Sequence, residues 1–162
     1  MITYTFPFGK PVLPCAPSIT ESRPVFILGA YPSALHIQWK LPTNSPIPRQ
    51  GIRAVAVDNE PEVFWDGSGE EALIQNWREA VGWDPAWGEC MPVGHQNGSS
   101  GKWVNASVLK PLGLSRDEVW LTDCLTTYRL SKNLKLRLEG TYQAFSKQIK
   151  ALPPYHLLMS IF

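Results

Sequence analysis

The chain reads as an α/β protein: a three-layer α/β/α sandwich on a small, mainly parallel sheet. Three observations predict it. Val25-Phe26-Ile27-Leu28-Gly29 is an apolar run without polar alternation, which suits a strand covered on both faces. Val119-Trp120-Leu121-Thr122-Asp123 offers a second such strand. Stretches with helical spacing alternate with these strands, and that alternation implies parallel pairing through right-handed crossovers. A length of 162 residues suits one domain, 1–162, with a substantial core.

The elements follow in order. Residues 1–22 are proline-rich and read as an extended arm along the domain edge. Strand 24–29 ends at Gly29, which permits a tight turn, and Pro32 fixes the backbone beyond it. Residues 41–51 hold three prolines and read as a loop. Arg53-Ala54-Val55-Ala56-Val57 alternates weakly, as an edge or hairpin strand would. Asp58-Asn59-Glu60-Pro61 is then a turn, and Phe64-Trp65-Asp66-Gly67 closes the hairpin.

Ser68 with Glu71 has the spacing of a capping box. A helix is expected from there, with Ala72, Leu73, Asn76, Trp77 and Ala80 at helical spacing and Gly82 at its end. Residues 83–101 read as a long irregular loop, a length at which binding loops and lids are common. Helix 102–110 turns Val104, Val108 and Leu109 inward and ends at Pro111 and Gly113. Ser115 and Glu118 form a turn before strand 118–122. Residues 124–138 lack clear periodicity. Helix 139–151 carries Tyr142, Phe145 and Ile149 on one face, with Leu152 in register, and strand 156–161 completes the sheet.

Composition narrows the function classes. No stretch approaches the roughly 20 apolar residues that span a bilayer, and the N-terminus lacks the basic and apolar regions of a secretory signal. No membrane partner is expected. Cys15, Cys90 and Cys124 are few, odd in number and far apart. They argue for thiols in a reducing, cytoplasmic setting rather than a disulfide framework. Their spacing with His36, His95 and His156 gives no strong metal signature, so no metal and no cofactor are expected.

The net charge of +1 says little, but the charges are unevenly spread. Acidic side chains crowd 58–89, where Arg78 is the sole base. Arg129, Lys132, Lys135, Arg137, Lys147 and Lys150 face only Glu139 in 129–150. That basic segment suits phosphates, or equally a solvated loop and helix face. The chain has no Gly-x-Ser-x-Gly elbow, no P-loop and no dinucleotide fingerprint.

The run into Gly29-Ala30-Tyr31-Pro32 resembles the first motif of the uracil-DNA glycosylase superfamily, a hydrophobic strand followed by Gly-x-x-Pro. Val119 to Asp123 resembles its second strand, and 139–161 its next helix and strand. The similar pieces fall within about 23–161. The resemblance implies a protein of DNA base excision that hydrolyses the N-glycosidic bond of a flipped base. Its partner would be DNA, its state a monomer and its cofactor none.

The resemblance also implies a site. Gly29, Tyr31, Pro32 and Ser33 would form the loop at the base, Phe64 or Trp65 the stacking ring, and Asp123 the reader of the base edge. Asparagine often holds the last position, and it both donates and accepts. An ionised aspartate only accepts, which favours an edge presenting N–H donors over uracil. Asp123 equally suits a cap on the next turn or a pair with Arg129.

Ala30 and Tyr31 stand where that superfamily handles water. Alanine has no polar atom, and a phenol is a poor base at neutral pH. The superfamily's histidine loop, which follows its last strand, has no counterpart before Phe162, as in a C-terminally truncated member. The expectation is a divergent member, impaired or inactive on uracil. The alternatives are a non-catalytic nucleic-acid or nucleotide-binding module, or an unrelated small-molecule enzyme using the 83–101 loop.

Overall fold

The computed structural model describes residues 3–5, 11–17, 25–42 and 55–131. Strand β1 (Thr3–Thr5) pairs antiparallel with β7 (Arg129–Ser131). β2 (Phe26–Gly29) pairs in parallel with β6 (Trp120–Asp123), Gly29 opposite Asp123. β3 (Ala34–Lys40) is the centre of a three-stranded antiparallel sheet, with β4 (Val55–Asn59) on one side and β5 (Glu89–Pro92) on the other. The chain is thus an α/β protein with one small parallel pair and an antiparallel sheet beside it. The expected mainly parallel sheet exists only as β2–β6 among the described residues. The expected helix 139–151 and strand 156–161 lie outside them.

Strand β3 is the main departure. The segment Ala34-Leu35-His36-Ile37-Gln38-Trp39-Lys40 alternates strictly after Ala34, with Leu35, Ile37 and Trp39 buried and Gln38 and Lys40 exposed. That alternation is the pattern of a half-buried strand. It redirects β4, which pairs back onto β3 instead of forward onto 64–67. β5 then occupies part of the expected 83–101 loop. The β2 run also departs from expectation. Ile27 points inward while Phe26 and Leu28 are exposed. An unbroken apolar run does not say which face is packed.

Beside β3 lies a core of Leu35, Ile37, Trp39, Leu41, Val57, Trp65, Ile74, Trp77 and Trp83. Trp83 is its hub, edge-on to Trp39 at 6.2 Å and to Trp87 at 5.4 Å, and tilted against Trp77 at 5.4 Å. Helix α1 (Glu70–Ala80) supplies Ile74 and Trp77. It does not begin on Ser68: its N-cap is Gly69 at φ 72°, with no side-chain cap. Ser68 instead donates its backbone N–H to Asp66 Oδ1 at 3.0 Å. At the other end Gly82, at φ 62°, donates to Glu79 O, and Trp83 N donates to Arg78 O. This paired closure is the left-handed glycine stop.

A second core packs Val12, Val63, Val104, Leu109, Val119 and Leu121 beneath the parallel pair. The N-terminal arm reaches it: Cys15 N donates to Leu121 O, and Val12 N to Thr126 O. Helix α2 (Ser99–Trp103) starts earlier than expected and widens into a π turn, Val104–Leu109, before α3 (Lys110–Leu112). Pro111 explains the widening. Its ring obstructs the carbonyl one α turn back, and it has no N–H to donate. A π turn relieves that crowding. Ser115 and Glu118 form a full capping box on the next 3-10 turn, Arg116–Glu118.

Candidate functional site

The strands β2 and β6 end together, and their loops continue side by side. Cys124 N donates to Gly29 O at 3.0 Å and Leu125 N to Ala30 O at 3.1 Å. A cleft of about 370 Å³ opens at this carboxyl edge, where ligands bind in open α/β sheets. Gly29 to Ser33 form one wall, Phe64, Asp123 and Tyr128 others, with His36, Glu60, Ser99 and Ser100 completing it.

The glycine is required. A Cβ at Gly29 would overlap Asp123 Oδ1 and come within 3.0 Å of Phe64 Cζ. Carboxylate and phenyl ring therefore meet over the bare backbone of β2. Phe64 holds φ 51°, the described non-glycine residue in the left-handed region, a conformation that costs energy and gathers at functional sites. Arg116 holds this turn in place. Its Nη1 donates to Phe64 O at 3.0 Å and its Nη2 to Val63 O at 2.7 Å. From the other side, Gly101 permits α2 to lie against the Phe64 and Trp65 carbonyls, where any Cβ would collide.

Glu60 follows β4 and enters the cleft from the antiparallel sheet. Its backbone N–H donates to Ser33 O at 3.2 Å, and its Oε1 accepts from Ser33 N at 3.0 Å. Its Oε2 is buried without a hydrogen-bond partner. Burial is the largest cause raising its pKa, to about 7. The Ser33 N–H opposes that rise, the Asp123 charge adds to it, Arg116 opposes it, and Glu62 adds to it. Burial also raises the Asp123 carboxyl. A carboxyl group poised near neutrality can both hold and release a proton at working pH.

His36 lies on β3 at the register shift between Leu35 and His36. Burial lowers its pKa against the hydrogen bonds that favour the charged form, and its Nδ1 is buried without a hydrogen-bond partner. The fully buried Asn97 frames its backbone, accepting from His36 N at 2.9 Å and donating to His36 O at 2.8 Å. Asn97 also donates to Glu70 Oε1, which accepts from Val93 N and Gly94 N. The first residue of α1 thereby ties down the strand-to-helix loop behind the cleft. Tyr31 and Tyr128 meet edge-on at 6.5 Å at the mouth.

Of the residues expected at the site, Gly29, Tyr31, Pro32, Ser33, Phe64 and Asp123 come together, with Ala30 beside them. Trp65 does not. It is 2% exposed, sits in the core, and donates its indole N–H to Ser68 O. Adjacent residues on an irregular turn point apart, so one ring faces the cleft and the other the core. Glu60 and Arg116 are the residues that sequence reasoning missed, and His36, considered there as a metal ligand, lines the cleft instead. Glu60 reads as an ordinary turn residue in an acidic stretch, and only the pairing of β4 onto β3 carries it to Ser33.

Among the described residues, no group of three or more His, Cys, Asp or Glu side chains is placed to hold a metal ion. No described helix is long and apolar enough to cross a membrane. Cys15, Cys90 and Cys124 are free thiols. No family model, curated protein or solved structure is detectably similar to the chain.

Proposed function

We propose that the cleft receives a nucleobase flipped out of DNA and serves hydrolysis of its N-glycosidic bond, as in base excision, with uracil a poor substrate. The observation that carries this reading is the meeting of the Phe64 ring and the Asp123 carboxylate over Gly29. A planar aromatic ligand needs a ring to lie against and a polar group at its edge. Ring and carboxylate lie at the end of a parallel strand pair, beside the Gly-x-x-Pro loop that motivates the resemblance. The Asp123 carboxylate accepts hydrogen bonds when ionised. It therefore favours bases with an exocyclic amino donor, such as cytosine, and disfavours uracil, whose O4 is an acceptor at that position.

The test is single-turnover cleavage of single-stranded oligonucleotides carrying one uracil, hypoxanthine or target cytosine, with protein in excess. Cleavage of the cytosine probe above the uracil probe, lost in Asp123→Ala, is the expected result. Salt-sensitive binding of every oligonucleotide without cleavage would instead make this a non-catalytic nucleic-acid module. Failure to bind at low salt would remove both readings.

A further inference from the structure

We infer that Glu60 is the catalytic residue that activates water in this cleft, in place of the polar group absent at Ala30. The inference rests on the N-glycosidic reading above. Its basis is geometric. Glu60 lines the cleft but is only 4% exposed, and its buried Oε2 has no hydrogen-bond partner. A buried carboxylate oxygen without a donor is costly in a folded protein. In a residue that lines a cleft, a small side-chain rotation would bring such an atom to a water there.

The opposite oxygen is anchored. Ser33 N donates to Oε1 while Glu60 N donates back to Ser33 O. This reciprocal pair fixes the carboxyl plane against the Gly-x-x-Pro loop, leaving Oε2 as the working atom. The groups around it are Asp123 from β6, Arg116 from the 3-10 turn, Glu62 on its own turn, and His36 and Tyr128 on the cleft wall. Burial and the neighbouring carboxylates raise the Glu60 pKa to about 7, so near neutral pH a large share is ionised and ready to accept a proton.

The step balances with water alone. The water oxygen bonds to the sugar C1′ as the C1′–N bond breaks. The bond's electron pair leaves on the base nitrogen, and the water proton passes to Glu60 Oε2. The base then takes a proton from solvent, and Glu60 returns its own to solvent. Asp123 stays with the base edge, so the two carboxyl groups divide reading from proton transfer, a division that their unequal surroundings permit.

The experiment uses the full chain and the same uracil, hypoxanthine and cytosine oligonucleotides, in single turnover between about pH 5 and pH 9. For the base that is cleaved, the wild-type rate should rise with pH and level off above about 7. Glu60→Gln keeps the acceptor for Ser33 N but cannot take the proton. It should bind the oligonucleotide as before, cleave it roughly 10²- to 10⁴-fold more slowly, and lose the pH limb. Glu60→Asp should restore part of the rate and the limb. Unchanged cleavage by Glu60→Gln, or a wild-type rate that falls as pH rises through 7, would overturn the role of Glu60 and leave the glycosidic reading standing. Absence of wild-type cleavage for every probe would overturn both.

Discussion

The tryptophan core and the cleft lie on opposite flanks of the same strand, β3, and they treat polar atoms in opposite ways. In the core three indole donors are matched. Trp39 Nε1 donates to Trp87 O at 2.8 Å, Trp65 Nε1 to Ser68 O at 2.8 Å and Trp83 Nε1 to Gly88 O at 3.0 Å. In the cleft, Glu60 Oε2 and His36 Nδ1 are buried without a hydrogen-bond partner, and Phe64 holds a left-handed backbone. Arg78 Nε on α1 is the further unpartnered atom among the described residues. A folded domain satisfies its buried polar groups where only stability is at stake. It leaves them poised where a ligand is to complete them. The contrast sets a core with matched indole donors against a cleft that holds two of the three buried unpartnered side-chain atoms among the described residues.

The largest expected effect tests the core. Trp83→Ala removes the ring shared by Trp39, Trp77 and Trp87, and should cost about 3–5 kcal/mol in urea unfolding. If the core is only a scaffold, the protein that remains folded should bind oligonucleotide with unchanged affinity. A matching loss of affinity would break the contrast.

The next effect tests the cleft through pH. The folded-state pKa of Glu60 lies above its ordinary value of 4.5, so the unfolded chain loses that proton first. The contribution of Glu60 to stability is fullest below pH 4.5 and declines as pH rises towards about 7. Glu60→Gln should abolish this decline and raise stability above pH 7 by up to about 3 kcal/mol, while lowering activity as argued above. His36 acts with the opposite sign. Its folded-state pKa lies below 6.5, so its contribution is present above 6.5 and is lost as pH falls through the folded value. Unfolding curves across pH for wild type and Glu60→Gln separate the two slopes. A flat wild-type profile would deny that the carboxyl group is buried and poised.

A smaller effect sits on the boundary. Asn97→Ala leaves His36 N–H and O without their side-chain partner and takes one donor from Glu70. It should cost about 1–3 kcal/mol, and it should also weaken oligonucleotide binding because β3 carries the cleft wall. Loss of stability with binding intact would place Asn97 wholly on the scaffold side. The smallest effect lies outside both regions. Cys124 is exposed, whereas burial pushes the Cys90 thiol up to about 12. Maleimide at neutral pH should label Cys124 well before Cys90, and Cys124→Ser should change stability by less than about 0.5 kcal/mol.

Local chemistry was legible where one segment decides its own structure. The run ending at Gly29, the stop at Gly82, the turn at Ser115 and Glu118, and the strand ending at Asp123 are written in short stretches of sequence and recur in the structure. The alternation of Leu35, Ile37 and Trp39 is equally legible as a half-buried strand, although Gly29 and Pro32 just before it favour a loop. Trp65 and Phe64 were not separable in advance, since which of two adjacent rings faces a cleft depends on the φ of one residue.

What the sequence determined by itself is therefore an α/β chain with a glycine-and-proline loop at a strand end and a carboxylate at the end of its partner strand. Those features follow from backbone preference and apolar patterning within a few residues of each other. Tertiary structure alone decided that Glu60 would join them. Ser33 and Glu60 stand 27 positions apart in the chain and meet at 3.0 Å, because β4 turns back onto β3 and not onward into a hairpin. Only that pairing buries the carboxyl group beside Asp123, and burial is what moves its proton affinity towards neutrality.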